Sequence, residues 1–391
     1  MSLKSVPMDE IGEAHLEGLV EEGARELGSI EYKLQLPGGS DADKREYLAD
    51  VSSFANANGG DIVFGVDEDG GVPTRLPGLE AGTDLDGAIL RLENVVRDGL
   101  SPRVQGVACR PVPVGEGRHA IVLRVPRSFA RPHMVTFKGS SRFFARSSAG
   151  KHPMDVGEIR GAVLASEAVA ERVRAFRSDR LGRIASGEAP VALKGRTRAV
   201  LHLVPLAAFD VPAPAVDLEA ALRNRDMVAP GGGGSPRYNF DGLVTEAREA
   251  FGDTLAYAQL FRSGAVEAVD ADPFDAEDGE LVIRTTILEK HLLEAAEQGF
   301  RLMRSLGVAP PALAMLSLVG VKGFVIPVRR TRHHYRPVDR EDLVVPEGMV
   351  EGDWPDRASV ERLMRPMFDA VWNACGFRGS ENFGEDGRWI R

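Results

Sequence analysis

The stretch Phe54-Ala55-Asn56-Ala57-Asn58-Gly59-Gly60-Asp61-Ile62-Val63-Phe64-Gly65-Val66-Asp67 allows few local structures. Upstream of its glycines, Tyr47, Leu48, Val51, Phe54 and Ala55 recur at helical spacing, leaving Lys44, Arg45, Glu46 and Asp50 for water. Ser40 and Asp41 stand where a helix N-cap is expected, and Asp43 suits the N-terminal dipole. Asn58-Gly59-Gly60 tolerates the left-handed conformation of a C-cap. The spacing therefore predicts a helix over 41–58 and a strand over 61–67. In that strand Ile62, Phe64 and Val66 oppose Asp61, Val63, Gly65 and Asp67. Asp67 is delivered to the strand tip, and Gly65 leaves room for a backbone or a ligand to approach.

The flanking sequence extends this alternation. Residues 6–27 read as a helix through Ile11, His15, Leu16, Leu19 and Val20, and 29–36 as a strand with Glu31, Lys33 and Gln35 on one face. A helix is expected over 84–99, then strands near 104–112, 119–125, 133–137 and 142–146. Asp155 and Glu158 form a capping-box pattern for a long helix to about residue 184. Residues 185–198 make the best linker, which predicts domains at 1–184 and 199–391. The second region reads as strands 199–204 and 255–262, the latter turning at Ser263-Gly264 into 265–269. A strand at 279–287, a helix ending at Gly307 and a hairpin of 312–319 with 323–328 complete it. The fold class expected is α+β: a mixed sheet with flanking helices, then antiparallel hairpins under a covering helix.

Composition narrows the function. Of 391 residues 43% are hydrophobic, enough for a substantial core, and no apolar run is long enough to span a bilayer. Residues 1–26 are acidic and amphipathic, so neither a signal peptide nor a membrane partner is expected. Cys109 and Cys375 are too few for a disulfide framework or a thiolate zinc site and suit the cytoplasm. The net charge of −10 disfavours a protein that coats DNA indiscriminately. Its distribution is uneven: residues 1–100 carry 8 basic and 21 acidic side chains, residues 101–183 carry 16 and 6. Such a reversal suits a polyanion held beside divalent cations; arginines decorating solvent-facing strands are the plain alternative.

The order Glu31-Tyr32-Lys33, the Asn-x-Asn-Gly-Gly element ending at Gly60, Phe64-Gly65-Val66-Asp67, Val125-Pro126-Arg127-Ser128 and Arg142-Phe143-Phe144-Ala145-Arg146 resembles the Schlafen-type AlbA-like domain of bacterial proteins. The resemblance covers about residues 20–165, with Asn56, Gly59, Gly60 and Gly65 as its structural signature. It implies nucleic-acid binding, RNA or DNA, in a regulator or a defence component. Some members cleave tRNA or rRNA with a metal ion. For that activity the resemblance implies Glu26, Glu31, Lys33 and Asp67 as the catalytic set, and Glu26, Glu31 and Asp67 as ligands of Mg²⁺ or Mn²⁺. Three carboxylates can hold such an ion against a phosphate, and Lys33 can neutralise developing charge. Arg131, Lys138, Arg142, Arg146 and Lys151 would grip flanking phosphates.

Plainer readings compete with each assignment. Glu31 and Lys33 also read as a strand ion pair, and Asp67 as a turn residue, so binding without cleavage stands first and cleavage second. ATP binding is a weaker third: Gly231–Gly234 is not followed by Lys-Ser/Thr. In the second region Tyr257, Gln259 and Phe261 read as a core stripe, and His333-His334-Tyr335 beside Arg329, Arg330 and Arg332 as a basic loop. Trp354, Trp372 and Trp389 are expected to pack rather than stack on bases. This half would contact another copy of the chain or a protein partner.

Overall fold

A computed structural model of the chain describes residues 3, 6–26, 28–147, 150–209, 215–248, 252–277, 279–327, 336–351 and 353–390. Contacts divide it into two compact units, Met1–Val169 and Ala170–Arg391.

In the first unit α1 (Glu13–Glu21) leads to β1 (Ile30–Lys33), α2 (Asp41–Asn56) and β2 (Gly60–Phe64). A small hairpin of β3 (Asp67–Asp69) and β4 (Val72–Arg75) precedes α3 (Leu85–Gly99). Short strands follow: β5 (Leu100–Ser101), β6 (Ala108–Pro113), β7 (His119–Val125), β8 (Met134–Val135), β9 (Arg142–Ser147) and β10 (Gly150–Pro153). The division between units falls inside α4 (Val156–Ser186). The helix expected over 6–27 is broken into a 3₁₀ turn at Met8–Glu10 and α1, and residues 22–26 leave α1 as an irregular segment that carries Glu26 toward β1.

The central sheet runs β1-β2-β7-β6. β1 and β2 are parallel, and α2 supplies the crossover that parallel pairing requires. Ser40 caps that helix, its Oγ accepting the Asp43 amide at 3.1 Å. Both sheet faces are covered. Ile62, Phe64, Ile121 and Leu123 pack beneath α2 and α3, while Tyr32, Val63, Ala120 and Val122 pack with Ile11, Leu16 and Leu19. Val63, which strand alternation grouped with the polar residues, is therefore core. The strand expected over 61–67 stops at Phe64 because Gly65 turns at φ +96°. A Cβ on Gly65 would lie 3.1 Å from the Gly78 backbone. Backbone, not a ligand, uses the room that the glycine leaves.

A second sheet, β10-β9-β8-β5, packs against α2 as well. That helix is consequently buried from Tyr47 through Asn56. The capping box at the start of α4 is reciprocal: the Glu158 amide donates to Asp155 at 2.8 Å and the Asp155 amide to Glu158 at 2.9 Å.

The second unit is built on an antiparallel eight-stranded sheet. Its elements are β11 (Arg198–Pro205), α5 (Leu218–Leu222), β12 (Arg237–Tyr238), β13 (Gly242–Arg248), β14 (Thr254–Phe261) and β15 (Val266–Asp270). Next come β16 (Phe274–Glu277), β17 (Glu280–Ile283), α6 (Thr285–Ser305), β18 (Ala312–Val319), β19 (Leu343–Val344), β20 (Gly348–Val350) and α7 (Arg357–Ala374). The order is β12-β13-β14-β15-β11-β18-β19, with β20 also on β18; β16 and β17 form a separate hairpin. The hairpin expected around Ser263-Gly264 joins β14 to β15. The one expected between 312–319 and 323–328 does not form, because β11 occupies one edge of β18 and β19 with β20 the other. Val325 makes only an isolated bridge to Val282. One face of the sheet packs on α6 and α7 through Leu201, Leu203, Leu316, Leu292, Phe300 and Phe368. The other carries Val200, Val244, Tyr257 and Val269 with Ile184 of α4, and Ala189, Val191 and Leu193 join that cluster.

The tryptophans pack, as expected. Trp354 stacks on Phe300 at 5.6 Å and its indole N–H donates to the Val308 carbonyl at 3.0 Å. Trp372 and Trp389 donate to one buried carboxylate, Glu289, at 2.8 and 3.1 Å. Ser380 and Asn382 donate to it as well, at 2.7 and 2.9 Å. Burial holds this carboxyl above its usual range against the pull of four donors. Glu289→Ala orphans those donors and is expected to lower stability by about 2–3 kcal/mol. Urea unfolding followed by tryptophan emission checks this, with a red shift expected in the folded variant.

Candidate functional site

β1 places Glu31 and Lys33 on the α2 face of the central sheet, opposite Ile30 and Tyr32, which enter the core beneath α1. The Glu31 carboxylate is buried and carries a cation on each oxygen. Lys33 Nζ lies 2.5 Å from Oε1, and the Arg146 guanidinium of β9 bonds Oε2. Arg146 is itself buried, 4.2 Å over the Phe54 ring. Desolvation weakens its hold on the proton, with Glu26 opposing that effect, and its Nη1 has no partner among the described residues. The expected phosphate-gripping Arg146 is thus an internal partner of the expected catalytic Glu31.

The neighbouring strand repeats the arrangement. Lys151 on β10 donates to Glu46 at 2.5 Å and to Asp50 at 2.8 Å, both on α2. Asp50, expected to face water, is only 3% exposed. Burial raises its carboxyl's pKa while Lys151 lowers it. Glu46, Asp50 and Phe54 recur every four residues along one stripe of α2. That spacing was the available signal for this cluster, and reading it needed knowledge that a basic sheet covers the stripe. The charge reversal between residues 1–100 and 101–183 is in part complementarity within the chain: β9 and β10 dock on α2 through it.

Glu26 adjoins this cluster, its carboxylate accepting the Tyr32 amide at 2.6 Å. Asp67 lies on β3 and pairs with Arg75 across the small hairpin. Glu26, Glu31 and Lys33 therefore meet around β1, and Asp67 begins the adjoining hairpin, where the Val66 amide donates to the Lys33 carbonyl at 3.2 Å and Asp67 itself pairs with Arg75. Among the described residues no group of three His, Cys, Asp or Glu side chains is placed to hold a metal ion. A Mg²⁺ or Mn²⁺ ion on Glu31 would share its carboxylate with Lys33 and Arg146.

The remaining basic candidates differ in exposure. Arg131 caps the C-terminus of α2, donating to the Asn56 and Ala57 carbonyls at 3.3 Å each. Lys138 sits in the β8–β9 turn, 62% exposed, 3.1 Å from an exposed Asp41. Arg142 opens β9, exposed, and makes no ion pair among the described residues. The His333-His334-Tyr335 loop, with Arg329, Arg330 and Arg332, lies outside the described residues.

Residues 26–155 match the family model described as Schlafen, AlbA_2. The first unit carries a Schlafen AlbA_2 domain. No curated protein matches the chain. Among solved structures, it is similar to the N-terminal domain of a RecG-related protein from Nitrosomonas europaea. Identity is 23% over 34% of this chain and 84% of that one, with a TM-score of 0.26. It is also similar to the DIP2311 protein from Corynebacterium diphtheriae, at 18% identity over 36% of this chain and 26% of that one, TM-score 0.25.

In the AlbA_2 domain the signature residues have structural tasks that lead back to the charge cluster. Asn56 ends α2 and ties it to the second sheet. Its Oδ1 accepts the His133 amide at 2.7 Å, and its Nδ2 donates to the Phe144 and His133 carbonyls at 2.8 and 3.0 Å. Burial depresses the pKa of His133, whose Nδ1 lies 2.7 Å from the Pro102 carbonyl. Gly59, at φ +70°, donates its amide to the Phe54 carbonyl at 2.9 Å and closes the helix. A Cβ on Gly60 would stand 2.4 Å from the Phe54 ring and 2.6 Å from the Ser29 carbonyl. The bare backbone at Gly60 lets that ring lie where Arg146 covers it and reaches Glu31.

Proposed function

We propose that the AlbA_2 domain binds nucleic acid, RNA or DNA, through phosphate contacts at the β8–β9 turn, and does so without cleaving it. The observation that carries this reading is the exposure of Lys138 and Arg142 in a domain whose other basic candidates are internally engaged. The exposed Lys138–Asp41 pair contributes little, so a phosphate competes with it easily. The family match supports the class of partner.

Two cations give a small electrostatic footprint. The logarithm of affinity is expected to fall with the logarithm of salt at a slope near −1.5 to −2, where five free cations would give about −4. The test is fluorescence anisotropy of the full chain with single- and double-stranded RNA and DNA across a salt series. Mn²⁺ and EDTA arms run beside it, and tRNA and rRNA are checked for cleavage. The reading expects EDTA-insensitive binding that weakens in Lys138→Ala/Arg142→Ala. Metal-dependent cleavage abolished by Glu31→Ala and Asp67→Ala would replace it with the nuclease assignment, and unchanged binding by the double variant would overturn it.

A further inference from the structure

We propose that the β12–β13 hairpin of the second unit is a stacking site for an unpaired base of single-stranded nucleic acid. The inference deepens the nucleic-acid reading above and rests on it for the class of ligand. Phe240, at the hairpin tip, is 93% exposed. It borders an open hollow of about 400 Å³ lined by Phe240, Asp241, Phe261, Arg262 and Ser263.

The hollow is held in shape. Beneath the tip, Asn239 accepts the Gly242 amide at 2.8 Å, and the fully buried Gln259 pairs with the Asn239 amide group at 2.5 and 3.2 Å. The backbone amide of Arg262 donates to the Asp241 carbonyl at 2.9 Å, and its Nε to the Phe240 carbonyl at 3.2 Å. On its inner side Phe261 is wedged edge-to-face against Phe176 at 5.3 Å, with Arg180 5.2 Å from its ring centre. The turn that presents Phe240 is therefore ordered before any ligand arrives, which lowers the entropy cost of binding.

Size and charge select the occupant. A stable interface with a folded protein needs about 800 Å² from each partner, far more than two phenyl faces offer. One planar base needs no more than an aromatic face and a nearby cation for its phosphate, the usual construction of single-strand sites. Arg237 and Arg262, both exposed on the hairpin and the adjoining turn, supply that charge. Asp241 at the wall repels a phosphate lodged in the hollow itself. Its carboxylate instead accepts from the exocyclic amino group of adenine, cytosine or guanine, which uracil and thymine lack.

Twelve-residue oligo(A), oligo(C) and oligo(U) strands, and a duplex, would be titrated into the full chain by anisotropy. The proteins compared are wild type, Phe240→Ala, Phe240→Trp and Lys138→Ala/Arg142→Ala. Because Phe240 is 93% exposed, its substitution removes little buried surface and its variants should fold. Phe240→Ala is expected to weaken oligo(A) binding about tenfold and leave the duplex unchanged, with Phe240→Trp close to wild type. Equal affinities of wild type and Phe240→Ala for every single strand overturn the stacking site. If the double variant still loses affinity in that case, the AlbA_2 reading stands; if only Phe240→Ala loses it, that reading falls and the stacking site stands. Absence of binding by wild type overturns both.

Discussion

Arg180→Ala is expected to destabilise the second unit by about 3–5 kcal/mol. Arg180 donates from Nε and Nη2 to the two oxygens of Glu267, each at 2.8 Å, and Glu267 is fully buried. His202 and the Tyr257 hydroxyl complete the carboxylate's shell at 3.0 and 2.8 Å. Truncating the arginine leaves a carboxylate in the sheet interior without its principal counter-charge. Tryptophan emission is the natural readout, since Trp354, Trp372 and Trp389 all lie in this unit.

The same group gives a pH dependence with a definite sign. Burial pushes the Glu267 carboxyl up, but the hydrogen bonds from Arg180 and His202 outweigh it and bring it from 4.5 down to about 2. A folded-state value below the unfolded one means stabilisation that is complete above 4.5 and is lost as pH falls toward 2. The difference corresponds to roughly 3 kcal/mol. Urea midpoints of the tryptophan signal at pH 6, 4 and 3 should therefore decline most steeply over the last interval. A flat response from 6 to 3 would contradict the assignment.

Arg146→Ala is expected to cost the AlbA_2 domain about 3 kcal/mol, the lower end of the same range because Lys33 remains beside Glu31. Arg146→Lys should recover little. An ammonium cannot lie flat over Phe54 and reach the carboxylate as the planar guanidinium does. Hydrogen exchange in α2 and β9 would report the loss, and an Arg146→Ala protein with wild-type protection in both elements would show that the pair contributes little. The variant also separates two roles assigned to this residue. If Arg146 acts inside the fold, its removal loosens α2, whereas a surface phosphate contact would change affinity alone.

The local grammar of this fold was legible. Ser40 and Asp43, the Asp155–Glu158 box, the Ser263-Gly264 hairpin and the break at Gly59-Gly60 each encode their structure within a few residues. The partners of charged side chains were not. Glu31 and Arg146 are 115 positions apart, and Lys151 is 101 from Asp50. A sequence shows the sign of each charge but not which helix stripe a later sheet will cover, so arginines that hold the domain together read as surface. Alternation likewise misplaced Val63, because a sheet covered on both faces has no polar side there. α7 went unread: Val360, Met364, Met367 and Val371 fit a helical stripe, but Pro366 lies within it. The position of Asp67 on its own hairpin follows from a turn at Gly65 that strand periodicity cannot foresee.

The ion clusters at Glu31 and Glu267 bear on how the chain responds to warming. Hydration of separated charges becomes less favourable as temperature rises, so the opposing cost of burying an ion pair shrinks while apolar burial levels off. Both units should accordingly hold their closed arrangement better on heating than their apolar cores alone would allow. Guanidinium chloride, itself a salt, should open them more readily than its ratio to urea for uncharged interiors would suggest.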